Sequence, residues 1–287
     1  MKTSVVVLFA SGAFCAASHV FAEEPAGPPA VLQIIQEDIK EGRGAAHERS
    51  EVAFMQAAAK ANFPSHILGL TSITGTSRAW FLEAYDNFAS IAVARAAMNK
   101  PELAGLDAAD AELRTGSRSL IAAYRPDLSY AADKIDLPKA RYFIIETLRF
   151  RAGEELAFIE MGKMLKGAAE KSNSNQPVVA YEVVSGAPGT FLVMEPMASL
   201  KPMDEDRERQ QALFSAMGAE GVKQYTKAAA EAVSAGETSL FSINSKMSYP
   251  PKEWIVTDPD FWGPKPVRTT KGRDKAGKAS AKTTASK

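Results

Sequence analysis

The chain has 287 residues and a formal net charge of zero, with 34 basic and 34 acidic side chains. Its only cysteine, Cys15, falls within a predicted leader, so the mature protein can form neither a disulfide nor a thiolate metal site. The sequence carries no phosphate-binding glycine loop, Gly-x-Ser-x-Gly elbow or His-Glu-x-x-His helix, which excludes the enzyme classes that those motifs mark.

Residues 1–22 have the features of a secretory signal peptide. Lys2 precedes a short apolar run, and the segment ends at Ala22, a small residue before Glu23. Polar residues interrupt the apolar run well short of the roughly 20 residues that span a bilayer, which disfavours a membrane anchor. We therefore expect an exported protein, periplasmic or secreted, with residues 23–30 as a linker.

The first folded unit is predicted over residues 31–130, from alternating and helix-spaced apolar residues. Its predicted elements are a strand at 31–39, a helix at 45–61, a hairpin of strands at 66–74 and 78–85, helices at 88–98 and after Pro101, and a strand at 119–124. This order is the β-α-β-β-α-β arrangement of a ferredoxin-like fold.

The same order of elements recurs 111 positions later, over residues 140–249, after a linker at 131–139. The matched pairs at this offset are Gly42 with Gly153, Gly75 with Gly186, and Trp80 with Phe191. The closing segments, 119–130 and 239–249, both begin Ser-Leu and end Ser-Tyr, at an offset of 120. Self-similarity over a whole domain length indicates a duplicated domain.

The hairpin strands of both units are apolar on both faces, as in residues 80–85 and 191–194. One face of such a sheet packs on its helices, so the other face needs a second apolar surface. We expect that surface to be the sheet of the other unit. The predicted fold is therefore α+β: two tandem ferredoxin-like repeats that form an intrachain, pseudo-dimeric barrel with an internal apolar cavity.

The C-terminal part divides into an aromatic segment at 250–263 and a basic tail at 264–287. Trp254, Phe261 and Trp262 are expected to pin the segment onto the barrel, or alternatively to cap its mouth as part of a ligand site. The tail has a net charge of +7 and few large apolar residues, which predicts disorder. It could be a solubilising tail or could contact an anionic surface. We expect no specific nucleic-acid recognition.

The duplicated pattern resembles the dimeric α+β barrel superfamily, which includes antibiotic-biosynthesis monooxygenase-like proteins. The resemblance rests on Lys40-Glu41-Gly42 and Arg151-Ala152-Gly153 before each first helix, with a glycine in each hairpin. It implies a cavity for a small molecule or haem, and a cofactor-independent oxygenase, an isomerase or a haem enzyme. Haem-degrading members use an Asn, a Trp and a His; this chain has Trp80 and His47, but no Asn at a matched position.

Three residues are candidate catalytic groups. His47, with Glu51 one helical turn later, could act as a general base or as an axial haem ligand. The alternative is a surface histidine in a weak pair with Glu51. Glu83 beside Tyr85 would be a proton-transfer pair if the carboxylate is buried. Its alternative is a carboxylate at the sheet edge, bonded to backbone or paired with Arg141.

Polar and aromatic residues near the predicted cavity are candidate ligand-binding groups: Arg78, Trp80, Arg141, Glu182 and Phe191. The acidic run from Asp204 to Glu208 lies at a helix start and alternates with arginines, so no metal site and no cofactor are predicted. Two hypotheses follow. The protein is an oxygenase or isomerase that acts on a small hydrophobic molecule, or it is a non-catalytic envelope protein with a filled barrel. A homodimer is compatible with either.

Overall fold

The structure is a computed structural model, and it describes residues 27–263. The predicted leader and the basic tail lie outside these described residues. Eight strands form the framework: β1 (Val31–Ile39), β2 (His66–Ser72), β3 (Arg78–Tyr85), β4 (Arg114–Tyr124), β5 (Tyr142–Phe150), β6 (Val179–Ser185), β7 (Thr190–Met197) and β8 (Val233–Ile243). They close into an antiparallel barrel in the order β1-β3-β2-β8-β5-β7-β6-β4. The predicted α+β class and barrel are therefore confirmed.

The helices are α1 (Gly44–Lys60), α2 (Phe88–Met98), α3 (Pro101–Asp110), α4 (Glu155–Ser172), α5 (Lys201–Asp204), α6 (Asp206–Ala232), α7 (Lys252–Thr257) and α8 (Pro259–Trp262). The longest, α6, is broken at Gly218, whose φ of 74° lies outside the helical region. Within residues 27–263, no helix is long and apolar enough to cross a membrane.

Strands β4 and β8 begin earlier than predicted, at Arg114 and Val233 instead of near Ser119 and Ser239. The added residues are mostly exposed on both faces, for example Thr115 to Arg118 in β4. Exposed strand ends have no apolar alternation, so the sequence pattern does not detect them.

Strand pairing corrects two of the matched positions. In the first half, Trp80 pairs with Gln36 of β1. The residue of β5 that matches Gln36 at the offset of 111 is Thr147, and Thr147 pairs with Leu192. The offset is therefore 112 after the second hairpin, which is one residue longer, and Phe191 is not the counterpart of Trp80. By the same reasoning β8 follows β4 at an offset of 119, not 120, because Ile34 pairs with Leu120 and Ile145 with Ser239.

The barrel interior is filled by apolar side chains. Trp80 lies against Phe241 with ring centroids 4.9 Å apart, and Leu70, Ile145 and Leu192 around them are fully buried. These residues come from strands of both halves, so the two sheets share one core. The inward positions carry large side chains that pack against one another, which favours the filled-barrel alternative over the expected internal cavity.

The C-terminal segment packs against this barrel core. The Trp262 side chain is buried among the core residues, and its Nε1 donates a hydrogen bond to the Pro138 carbonyl oxygen at 2.8 Å. Arg141 forms an ion pair with Asp258 and lies 3.8 Å from the ring centroid of Phe261. The aromatic residues therefore anchor this segment onto the barrel.

Candidate functional site

A pocket of about 920 Å³ lies between the barrel and the helices of the first half, on the outer side of the sheet. We call it the sheet–helix pocket; it is lined by residues of β1, β2, β3, β4, α1, α2, α3 and the adjoining loops, among them Ile35, Glu37, Glu51, Phe54, Phe63, Phe81, Glu83, Tyr85, Arg95 and Met98. Its size is within the range of small-molecule sites, and its wall combines apolar side chains with seven charged ones.

Strand alternation explains which residues reach the pocket. Along β3, Trp80 and Leu82 point into the barrel core, whereas Phe81, Glu83 and Tyr85 point toward the helices. The predicted separation of Trp80 from Glu83 and Tyr85 onto opposite faces is confirmed. The pocket therefore lies on the helix-facing side of the sheet, whereas the sequence analysis expected a cavity on the side that faces the barrel interior.

Glu83 and Tyr85 form a buried pair in this pocket. The Tyr85 hydroxyl donates a hydrogen bond to Glu83 Oε2 at 2.6 Å, and Glu83 is only 7% exposed. Burial raises the pKa of the Glu83 carboxyl, although the bond from Tyr85 and the charge of Arg95 oppose the rise. Burial, and then the Glu83 charge, also raises the pKa of the Tyr85 hydroxyl.

The alternative of a sheet-edge carboxylate for Glu83 is wrong. Strand β3 lies between β1 and β2, so Glu83 is central in the sheet of the first half. The cation named in that alternative, Arg141, is paired with Asp258 instead. A strand with apolar residues on both faces predicts that its residues are buried. The pattern does not specify which residue will be the partner of a polar side chain within the strand.

His47 is buried as well, so the alternative of a surface histidine is wrong. Helix α1 turns His47, Glu51, Met55 and Ala58 toward the sheet. His47 Nε2 lies 2.7 Å from Oε2 of Glu37, which projects from the outer face of β1. The Glu51 carboxylate that the sequence placed beside His47 is farther away, with Oε1 at 3.8 Å from Nε2.

Two further residues complete a charged cluster at this end of the pocket. Asp110, the last residue of α3, places Oδ2 at 3.5 Å from His47 Nε2. Arg114 at the start of β4 pairs with Glu37 and lies 3.2 Å from Asp110 through its Nε. We call Glu37, His47, Glu51, Asp110 and Arg114 the histidine cluster.

Burial dominates the electrostatics of the histidine cluster. It raises the pKa of Glu51 to about 9, and the negative charges of Glu37 and Asp110 act in the same direction. Burial also raises the pKa of Asp110, against the lowering effect of His47. Several carboxyl groups in one dry site cannot all ionise freely, which is the physical reason for both shifts.

The structure brings only two of the five predicted ligand-binding residues together: Glu182 and Phe191 are cross-strand partners on β6 and β7. Trp80 lies in the barrel core, and Arg78 donates to Ser239 Oγ and pairs with Glu237 on β8. Glu182 pairs with Arg125 at 2.6 Å, and Arg141 pairs with Asp258. Phe191 stacks on Phe158 on the helix side of the second half, with ring centroids 4.7 Å apart. Their binding roles stay predictions, but the residues form no common site.

Sequence reasoning missed Glu37, Asp110 and Arg114. Glu37 is an acid at a position of β1 whose strand neighbours in phase, Ile35 and Ile39, are apolar, which is the one signal that could have marked it. Asp110 and Arg114 lie in a stretch that the hydrophobic pattern does not resolve. Only the folded chain brings these three residues to His47.

No protein-family model and no curated protein matches the sequence. Solved structures match its fold. An anthrone oxidase-like protein aligns with a TM-score of 0.52 at 9% identity, over 76% of this chain and 93% of that chain. A monooxygenase-like protein from Fusobacterium nucleatum subsp. nucleatum aligns with a TM-score of 0.51 at 9% identity, over 75% and 93%.

A mutant chlorite dismutase from Candidatus Nitrospira defluvii also aligns, with a TM-score of 0.48 at 10% identity, over 76% of this chain and 92% of that chain. At such low identity these comparisons concern the fold alone. The two neighbours with TM-scores above 0.5 share the fold of this chain, which has the closed α+β barrel that the sequence analysis expected.

Proposed function

We propose that the protein binds a small hydrophobic molecule in the sheet–helix pocket and acts on it as a cofactor-independent oxygenase or isomerase. The observation that carries the proposal is the buried pair of Glu83 and Tyr85, beside apolar side chains such as Phe81, in the wall of a pocket of about 920 Å³. Two of the structural neighbours are a monooxygenase-like protein and an anthrone oxidase-like protein, and both support the oxygenase alternative.

The pair is suited to move a proton. An ionised Glu83 carboxylate accepts a proton from an activated C–H group of the substrate, and a raised pKa makes it a stronger base. The Tyr85 hydroxyl holds the carboxylate by its 2.6 Å hydrogen bond. In the isomerase reaction the proton returns to another carbon of the same molecule.

In the oxygenase reaction, molecular oxygen is the co-reactant. A substrate CH₂ group loses both hydrogens and gains one oxygen atom as a carbonyl, while the second oxygen atom leaves as water. Glu83 removes the first proton, which produces the electron-rich carbanion that oxygen attacks. Apolar walls such as Phe81 exclude water from this step.

Anthrone, a polycyclic ketone with an acidic CH₂ group, is a suitable probe. We expect the purified chain to bind anthrone in calorimetry and to consume oxygen with it. The E83Q variant, which keeps an acceptor for the Tyr85 hydroxyl, should lose about 10² to 10⁴ of the rate. The matched control is E195Q, because Glu195 is the partly buried carboxylate in the equivalent position of the second half.

Equal oxygen consumption by the wild type and E83Q would overturn the assignment of Glu83. A chain that does not bind the probe would count against the oxygenase alternative. Binding without turnover would favour the second candidate, a non-catalytic binding protein. The filled barrel core and the mutual hydrogen bond of Glu83 and Tyr85 support that candidate.

Three further parts of the proposal concern the whole chain. We propose that the halves are tandem ferredoxin-like repeats, which the matching strand orders β4-β1-β3-β2 and β8-β5-β7-β6 support. We also propose export by cleavage after Ala22, which N-terminal sequencing of an extracytoplasmic fraction would test. If the basic tail attaches the protein to an anionic surface, deletion of residues 264–287 should release it from that fraction's surface-bound material.

A further inference from the structure

The histidine cluster contains a set of side chains with the composition of a metal site. One donor atom each of Glu37, His47, Glu51 and Asp110 lies within 4.8 Å of all the others. Three elements supply them: Glu37 comes from β1, His47 and Glu51 from consecutive turns of α1, and Asp110 from the end of α3. We propose that these four residues bind one divalent first-row transition-metal ion, an inference that goes beyond the proposed function.

The distances agree with a four-coordinate ion. Ligand bonds of about 2.1 Å in a tetrahedral site separate the donor atoms by about 3.4 Å. His47 Nε2 lies 3.5 Å from Asp110 Oδ2 and 3.8 Å from Glu51 Oε1. Its 2.7 Å contact with Glu37 Oε2 must lengthen to admit an ion, and any donor pair near the 4.8 Å limit of the set must draw closer.

The donor types select the class of ion. An imidazole nitrogen with three carboxylates suits Zn²⁺, Fe²⁺ or Mn²⁺, whereas Ca²⁺ needs six to eight oxygen ligands and Mg²⁺ keeps several waters. The imidazole and the small number of donors therefore favour a transition-metal ion over Ca²⁺ or Mg²⁺.

Asp110 supplies an independent observation. Its side chain is 97% buried, yet neither carboxylate oxygen accepts a hydrogen bond of good geometry within the described part of the chain. The polar groups nearest to it are Arg114 Nε at 3.2 Å and His47 Nε2 at 3.5 Å, both measured to Oδ2, and the Ser50 hydroxyl. An unsatisfied buried carboxylate costs folding free energy, and a bound cation would remove that cost.

Arg114 has the role of a supporting residue outside the ligand set. It binds Oε1 of Glu37, which leaves Oε2 directed at the other donors. Its charge offsets one of the three carboxylates, so two negative charges remain for a divalent ion when all three are ionised and His47 is neutral. Glu37 and Glu51 also line the sheet–helix pocket, which provides an entry path.

The test uses the untagged full chain after treatment with a chelator, because an affinity tag of histidines would itself bind metal. We expect one equivalent of Zn²⁺ in calorimetry, a rise in melting temperature with Zn²⁺, and a Co²⁺ absorption spectrum with bands in the visible range. Mutation of a residue that only supports a metal ligand typically costs about tenfold to a hundredfold in metal affinity. Because Asp110 and His47 are proposed ligands themselves, D110N and H47Q should each lose at least about a hundredfold in Zn²⁺ affinity.

The matched control is E48Q. Glu48 is on the same helix α1, but it contacts Lys246 and Asn244 outside the cluster. Absence of stoichiometric Zn²⁺ and Co²⁺ binding to the wild type would overturn the inference. So would D110N and H47Q variants, folded by circular dichroism, that bind Zn²⁺ as the wild type and E48Q do. Anthrone binding is measured separately on the metal-free chain, so failure of one proposal is distinguishable from failure of the other.

Discussion

Glu83 and Glu195 occupy the same register position in the two halves of the barrel, but they have different partners. Glu83 pairs with Gln33 of β1 and Glu195 with Ile144, the equivalent residue of β5. Burial raises the pKa of both carboxyls. Glu83 accepts a hydrogen bond from Tyr85, whereas Glu195 lies 3.5 Å from Arg209, and Met197 is the second-half counterpart of Tyr85. The hydrogen-bonded glutamate–tyrosine pair is therefore specific to the first half.

The raised pKa of Glu83 predicts a pH-dependent difference in stability between the wild type and E83Q. The folded state holds the Glu83 proton more tightly than the unfolded state, whose carboxyl has the ordinary pKa of 4.5. Wild-type stability is therefore unaffected by this group below 4.5, and it falls as pH rises toward the folded-state pKa. E83Q has no carboxyl to titrate at this position.

We expect the free energy of unfolding of the wild type minus that of E83Q to decrease with pH above 4.5, by at most about 1.4 kcal/mol per pH unit. Urea unfolding at a series of pH values measures it. A difference that stays constant over the whole pH series would show that burial does not raise the pKa of the Glu83 carboxyl.

Adjacent residues of β3 should separate ligand binding from barrel stability. Phe81 lines the sheet–helix pocket, whereas Trp80 lies in the barrel core. Phe81→Ala should weaken binding of the anthrone probe by about tenfold to a hundredfold, the equivalent of about 1.5 to 3 kcal/mol of lost apolar burial. Trp80→Phe should lower stability and leave the affinity unchanged. The reverse result in calorimetry would place the ligand inside the barrel.

The C-terminal segment should stabilise the barrel mainly through one tryptophan. Trp262 is buried in the core and donates to the Pro138 carbonyl oxygen, whereas Trp254 is only partly buried. We expect Trp262→Ala to lower the free energy of unfolding by about 3 to 5 kcal/mol, and Trp254→Ala to lower it less. Equal losses in urea titrations would contradict an anchoring role that depends on burial.

Gly69 in β2 should not tolerate a larger side chain. A Cβ atom there would lie 2.2 Å from the Met247 carbonyl oxygen, which is backbone and cannot rotate away. Gly69→Ala should therefore be clearly destabilising. The matched control is Gly105→Ala in α3, where no atom lies within 4 Å of the added Cβ and alanine should stabilise the helix by about 0.5 to 1 kcal/mol. Thermal unfolding of both variants measures this difference, and a similar shift in melting temperature for both would refute the predicted clash.

Local sequence pattern was enough for most elements of the fold. The apolar, β-branched run in Val31–Ile39 predicts β1, and the helical spacing that follows it predicts α1 because that spacing reflects which face of the helix is buried. The apolar hairpin strands indicate a sheet that is covered on both sides, and the barrel meets that requirement. The pattern fails at the exposed ends of β4 and β8, where no face is buried, and it does not predict the short helices α7 and α8.

The sequence by itself determined the class of fold, the order of its elements and the division of β3 into two faces, because these depend on neighbours along the chain. Only the tertiary structure decided that the barrel core is filled and that the pocket lies on the helix side. It also decided that Glu37 and Asp110 meet His47. Such contacts depend on strand register and helix packing across many residues, and no local periodicity encodes the space that is left between two packed layers.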